Sequence, residues 1–467
     1  MKKSKILVAL LLAFVMAFGV VALVACDNDG GNGGNKGGNN KPIELVLWAP
    51  SGAQSFYRGW ADKWANGYTD ANGVEHPGYT DAQGNKYTVT LGLGEEDGAK
   101  DMLINSPTDG ADVFMFIDDH MTDLMDNNIL AKVGELDAPE GTFAYNIINN
   151  NKEMAVNAVT YADPETGKDA LYAYPMQADN TYFLYYNPSF LSAEDVKTWD
   201  GIFDKLATIN EGKEGIDRVK AQMDYGVSWY QAAWFLTFGG KGDASNWNNK
   251  DIAYSALQAA HEFSSQKDFI SKGHGDPLVT GLLDGSLAAG VSGTWICTGE
   301  LKARIDNGEI KLAKLPAVRL STDPKGEESS YHQMRSLLGC KLIGVNAQGK
   351  NQTTIMASHY LANFLTSYEV QVDKALKLSA GPSNKIAAEL AEVLALPTVN
   401  VVAEQSKYSE PQSTTPAAVF SAVSTPINAV DGATPMTSNV YFGADGKCIA
   451  EKVDPLIQSM YNTIFPQ

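Results

Sequence analysis

From Ile43 to Thr366 the chain alternates short β-rich runs with segments whose bulky residues recur at helical intervals, which restricts it to layered α/β folds. Ile43 to Trp48 is a β-rich run ended by Pro50 and Gly52, and Tyr57 to Trp64 then has helix-like spacing. Asn66 to Asn85 is rich in Gly, Asn, Asp and Tyr and contains an echo, Gly67-Tyr68-Thr69-Asp70-Ala71 against Gly78-Tyr79-Thr80-Asp81-Ala82. Such turn formers, placed between a helix and the strand Tyr87 to Leu93, predict an inserted loop or hairpin. Asp112 to Ile117 is continuously apolar after its first residue, as expected of a parallel strand buried on both faces, and a helix is expected from Met121 to Ile129. Leu171 to Asn187 is aromatic and extended, with Pro175 expected to break it. Further helices are expected at residues 199–206, 230–237, 252–266, 278–284 and 354–366, and strands at 288–292 and 337–345.

The beginning of the chain speaks to location. Lys2, Lys3 and Lys5 precede an uninterrupted apolar stretch, Ile6 to Ala25, which reads as an export signal. A stretch of about 20 apolar residues also has the length of a membrane-spanning anchor. The residues at its end favour the signal: Leu23-Val24-Ala25-Cys26 resembles the bacterial lipobox, in which the cysteine is lipid-modified and cleavage falls just before it. Residues 1–25 are therefore expected to be a lipoprotein signal peptide, Cys26 the lipidated residue, and 26–41 a Gly/Asn-rich flexible tether too polar to fold. The expected location is the extracellular face of the cell membrane.

The remaining chain is long enough for two or three domains at about 100–200 residues each. A formal charge of -19 opposes attraction to phosphate backbones and excludes nucleic acid as a partner. With Cys26 assigned to lipid, Cys297, Cys340 and Cys448 remain, an odd number that argues against a disulfide framework. No Cys-x-x-Cys occurs, and none of the six histidines forms a pair at zinc-ligand spacing, so no metal and no cofactor is expected. Gly290-Val291-Ser292-Gly293-Thr294 fails the Gly-x-Ser-x-Gly nucleophile elbow at its last position.

A set of landmarks carries a family resemblance. Leu45-Val46-Leu47-Trp48 is followed by Gly110-Ala111-Asp112-Val113-Phe114-Met115-Phe116, Tyr172-Ala173-Tyr174-Pro175, Tyr185-Tyr186-Asn187-Pro188 and Lys197-Thr198-Trp199-Asp200. Phe238-Gly239-Gly240, Gly285 to Trp295, and Leu342-Ile343-Gly344-Val345-Asn346 come next. In kind and order these resemble the family 1 extracellular solute-binding proteins, the maltose/maltodextrin-binding type that delivers ligands to an ABC importer. The resemblance implies an α/β, two-lobe, type II periplasmic-binding-protein-like fold with a hinge and an interlobe ligand cleft. The implied lobes are 42–178 plus 338–390 and 179–337 plus 391–467, with crossings near 177–182, near 335–338 and beyond Gly381.

The same resemblance nominates a site. A sugar site needs flat rings for pyranose C–H surface and carboxylates or amides for hydroxyls. Trp295, after Gly293-Thr294 at a strand end, stands where maltodextrin binders stack a Trp on their ligand. Trp229 and Tyr230 stand where another stacking aromatic is placed, either being the contact. Phe116 matches a family Trp, Asp119 and Asp179 match acids that bind sugar hydroxyls, and Phe420 stands near a further stacking aromatic. Two departures occur: Gly52-Ala53 replaces an Asp-Lys pair, and His120 replaces an Arg. The expected function is capture of a sugar, such as an oligosaccharide of the maltodextrin kind, by a non-enzymatic monomer that serves ABC importer permease subunits. The alternatives are a tethered carbohydrate-active hydrolase using two carboxylates, or a surface glycan-capture lipoprotein without a transporter.

Overall fold

The computed structural model describes residues 41–239, 247, 249–432, 439–443 and 445–466. The signal stretch, Cys26, the tether before Lys41, and Gly240 lie outside the described residues.

Two sheets organise the chain. In the first, Ile43–Ala49 sits between Tyr87–Leu93 and Val113–Ile117, and Val113–Ile117 is followed by the long strand Ser336–Val345 and then by Ser409–Pro411. Tyr174–Asn180 pairs with another part of the long strand. Every residue of Val113–Ile117 is buried. The expectation of a parallel strand is met on one side only: Leu47 pairs parallel with Val113, whereas Phe116 pairs antiparallel with Leu342. Burial on both faces selects apolar side chains and leaves strand direction open. Pro175 lies inside its strand opposite Leu342 rather than ending it. That strand is paired in the sheet with the long strand alone, so the missing proline N–H removes no ladder bond on its other side. The helix expected to reach Ile129 ends at Asp126, because Asn128 adopts a left-handed φ of 54° and turns the chain.

The second sheet has the order Phe269–Ile270, Lys220–Gln222, Leu287–Gly293, Tyr182–Tyr186, Lys311–Ala313. Its central strand is rich in small residues, which lets the helix Asp276–Asp284 approach closely. A Cβ at Gly290 would stand 2.1 Å from Leu278 Cδ1.

Each sheet has its own apolar core. The first gathers Leu45, Leu47, Tyr57, Trp60, Phe114, Phe116, Leu342 and Leu361; the second gathers Tyr182, Leu184, Trp199, Trp234, Leu257, Phe263, Val291 and Ile457. Separate cores over two sheets make two lobes. Thr181 alone separates the last strand residue in the first sheet from the next strand in the second. Its hydroxyl donates to the Leu337 carbonyl at 2.6 Å, and the Ala178 N–H donates to Gly381 O at 3.0 Å, so three passes of the chain lie together there. Cys297, Cys340 and Cys448 are all free thiols. Among the described residues no helix is long and apolar enough to cross a membrane.

Candidate functional site

Buried polar side chains, several with an atom that has no partner, surround these passes. Lys341 of the long strand is opposite Ile117 on one side and Gln177 on the other. Two residues beyond each partner stand Asp119 and Asp179, so the register sets the two nominated acids on either flank of Gly339-Cys340. Asp118, Asp119 and His120 form a single 3-10 turn after the strand. Gly339 is needed beneath it: a Cβ there would stand 2.6 Å from Asp118 Oδ1 and 2.8 Å from Gln412 Oε1. Asp119 lies 3.8 Å from the His120 ring, and their side chains are 15% and 14% exposed. Burial raises the Asp119 carboxyl above its usual range, opposed by His120 and the neighbouring Gln412. Burial, and secondarily the charge of Asp119, raises Asp118 further.

Asp179 is buried on the other flank, and one of its oxygens accepts from the Gly381 N–H. Burial raises its carboxyl, opposed first by that N–H and then by Gln177, Lys341 and Lys374. Lys341 pairs with Glu96 across the sheet end.

The second lobe contributes rings. Trp229 opens the helix Ser228–Gly239, and Trp295 follows the strand Leu287–Gly293; both indoles are partly exposed, 6.4 Å apart and inclined by 57°. Gly293 makes this placement attainable, since a Cβ on it would stand 2.0 Å from the Trp295 ring. His274 is edge-on to Trp295 at 6.0 Å and fixed by Asp224 Oδ2 at 2.9 Å from Nδ1. Tyr230 is 1% exposed, wedged against Tyr182 and His274, so of the pair 229–230 it is Trp229 that offers an open face. Tyr182 hydroxyl holds the Trp229 carbonyl at 2.9 Å. Phe420 is partly buried on the second core, on a helix against Ser228–Gly239.

Phe116 is placed elsewhere: it is fully buried in the first core with its ring 5.4 Å from Phe114. A ring without an exposed face has nothing to stack a ligand on, and the apolar run around it explains why. Reading the sequence misses His274, which meets Trp295 edge-on, and Gln412, which lies against Gly339. No local pattern signals either.

Asp119 Oδ1, His120 Nδ1, Asp179 Oδ1, Asn180 Nδ2, Thr294 Oγ1, Trp295 Nε1, Arg335 Nε and Gln412 Nε2 are buried with no hydrogen-bond partner in the protein. Each such group costs about 1–3 kcal/mol if left unsatisfied, so a polar occupant that reached them would recover that cost. Acceptors, donors and indole faces together suit a molecule with both hydroxyls and C–H surface.

A family model described as bacterial extracellular solute-binding protein matches residues 78–401. Among curated proteins none matches. Several solved structures are similar to this chain in fold. The maltodextrin-binding protein MalE1 from L. casei BL23, without ligand, shares 20% identity at a TM-score of 0.65 over 90% of this chain and 99% of that one. The maltose/maltodextrin-binding domain MalE from Bdellovibrio bacteriovorus, bound to maltotriose, shares 17% identity at 0.65 over 90% and 100%. MalX from Streptococcus pneumoniae, in complex with maltopentaose, shares 19% identity at 0.64 over 90% and 99%.

Proposed function

The chain belongs to the bacterial extracellular solute-binding proteins, and from that premise we propose that it captures a sugar, in particular an oligosaccharide, between its lobes and hands it unaltered to an ABC importer. The observation that carries this reading is the set of buried, unpartnered donors and acceptors near the chain passes between the sheets, together with the partly exposed Trp229–Trp295 pair. The structures of similar fold bound to maltotriose and maltopentaose support the same ligand class.

In this reading Trp295 and Trp229 stack on pyranose faces, Asp119 and Asp179 accept from hydroxyls, and Phe420 borders the cleft. Tyr182 holds the Trp229 carbonyl and packs on Tyr230, and Phe116 anchors in the core the strand that leads to Asp119. The lobes are 42–178 plus 338–390 and 179–337 plus 391–467, except that residues 179–180 and 336–337 and the strand Ser409–Pro411 pair in the first sheet. A sugar touching both lobes binds the closed arrangement better than the open one and shifts the population toward it, giving permease subunits a state to recognise. The mature monomer is held at the extracellular face of the cell membrane by lipid on Cys26. Acyl chains contribute about 0.8 kcal/mol per buried methylene, and two or three chains anchor stably.

Isothermal titration of the protein against a panel of glucans, with mass spectrometry of the sugar afterwards, tests the reading. Saturable binding with the sugar recovered intact is expected. Cleaved products would make it a hydrolase, and absence of binding across the panel would remove sugar capture.

A further inference from the structure

The segment that follows the first helix and runs into the strand Tyr87–Leu93 is an eleven-residue duplication, Gly67 to Pro77 against Gly78 to Thr88. Its two copies satisfy their aspartates differently. In the second copy Asp81 Oδ2 accepts from Asn85 Nδ2 at 2.9 Å and from the Tyr87 hydroxyl at 2.7 Å. In the first copy His76 occupies the place of Tyr87, and Asp70 Oδ2 has only the His76 Nε2 atom, at 3.4 Å. A third group arrives from far along the chain: Glu369, in the first turn of the helix Tyr368–Leu378. Ligand atoms of Asp70, His76 and Glu369 all lie within 4.8 Å of one another, in the one such group among the described residues.

The surroundings hold these groups in place. Tyr68 stacks on the His76 ring at 4.5 Å and 7°, and its hydroxyl donates to Glu369 Oε2 at 2.8 Å. The other Asp70 oxygen accepts from the Asn72 and Val74 N–H groups at 2.9 and 2.8 Å, leaving Oδ2 turned toward His76. The His76 and Asp70 side chains are 25% and 13% exposed, so an ion has a way in.

A spacing of 3.4 Å is long for a hydrogen bond but suits two ligands of one metal ion: nitrogen and oxygen each about 2.0–2.1 Å from zinc at a tetrahedral angle stand about 3.4 Å apart. We propose that Asp70, His76 and Glu369 form a binding site for a divalent transition cation of the zinc class, which staples the inserted hairpin to the helix Tyr368–Leu378. One nitrogen and two carboxylate oxygens form a donor set suited to zinc, with a water completing four ligands. Histidine spacing in the sequence does not announce it, because the third ligand is 293 residues beyond His76.

The test is isothermal titration of tag-free, chelator-stripped protein with zinc chloride. One equivalent bound and a raised unfolding temperature are expected. His76→Tyr, which installs the residue of the second copy, and Glu369→Gln should each weaken that equivalent at least tenfold while leaving the metal-free circular dichroism unchanged. Diffraction at the zinc edge should show the ion between His76 and Glu369. Absence of zinc binding, equal binding by both variants, or an ion located elsewhere would overturn the proposal. Sugar binding is read separately, so failure here leaves the proposed function intact.

Discussion

The second lobe meets the space between the sheets with rings, and the first meets it with acids. Trp229, Trp295 and His274 come from a helix start, a strand end and a loop, set at 6.0–6.4 Å by Gly293 and by the Asp224–His274 pair. Asp118, Asp119 and His120 come from one 3-10 turn, set by the register of the long strand and by the absence of a side chain at Gly339. The division has a physical logic. Rings give area with little directionality, whereas carboxylates specify hydroxyl positions at the cost of their own desolvation. In the proposed sugar site, a ligand that touches both sets gains more than one that touches either alone.

The largest expected contrast is acid stability. His359 is buried in the first core, its Nδ1 3.0 Å from the Tyr174 hydroxyl, and burial pulls its pKa down to about 4. The folded lobe holds it neutral while the unfolded chain takes up a proton below about pH 6.5. Its contribution is therefore complete above pH 6.5 and is lost as the pH falls toward 4, amounting to on the order of 3 kcal/mol. Chemical unfolding followed across that range should show this loss, and His359→Gln should flatten it; an unchanged slope would assign the acid sensitivity to other groups.

Next comes the aromatic side of the contrast. Trp295→Ala should weaken sugar binding by about 1–3 kcal/mol, as for other ligands stacked on aromatics, and titration calorimetry measures it directly. Asp119→Asn, keeping shape but removing charge, should cost about 1–2 kcal/mol of affinity. Because both residues touch the same sugar in this account, the double variant should show an interaction energy of about 0.5 kcal/mol or more. Strict additivity would mean that the lobes act as separate contributors. Smallest is Phe116→Leu, which should leave affinity within about twofold while lowering stability by about 1 kcal/mol. A larger loss of affinity would return Phe116 to the site.

Much of the layering was legible in the chain, since period-two and period-3.6 patterns report burial directly. The strand Tyr87–Leu93 lies where the pattern puts it, the helices around Trp199 and Tyr230 extend two or three residues beyond expectation at one or both ends, and the one around Ile252 starts and ends two residues early. Strand direction was not legible, as Val113–Ile117 demonstrates, nor was the tolerance of Pro175 on an edge. Residue type and resemblance pointed to Trp295 and Asp119, but accessibility separated Trp229 from Tyr230 and withdrew Phe116 into the core. Gln412 and His274 escaped because segments distant in sequence bring them to the site, which no local pattern encodes.

The most direct measurement is a crystal structure with the tightest-binding oligosaccharide of the panel. A sugar ring against the Trp295 indole is expected, with a hydroxyl within hydrogen-bond distance of Asp119 and both lobes in contact. A sugar held by one lobe alone, or bound away from both residues, would contradict sugar capture between the lobes.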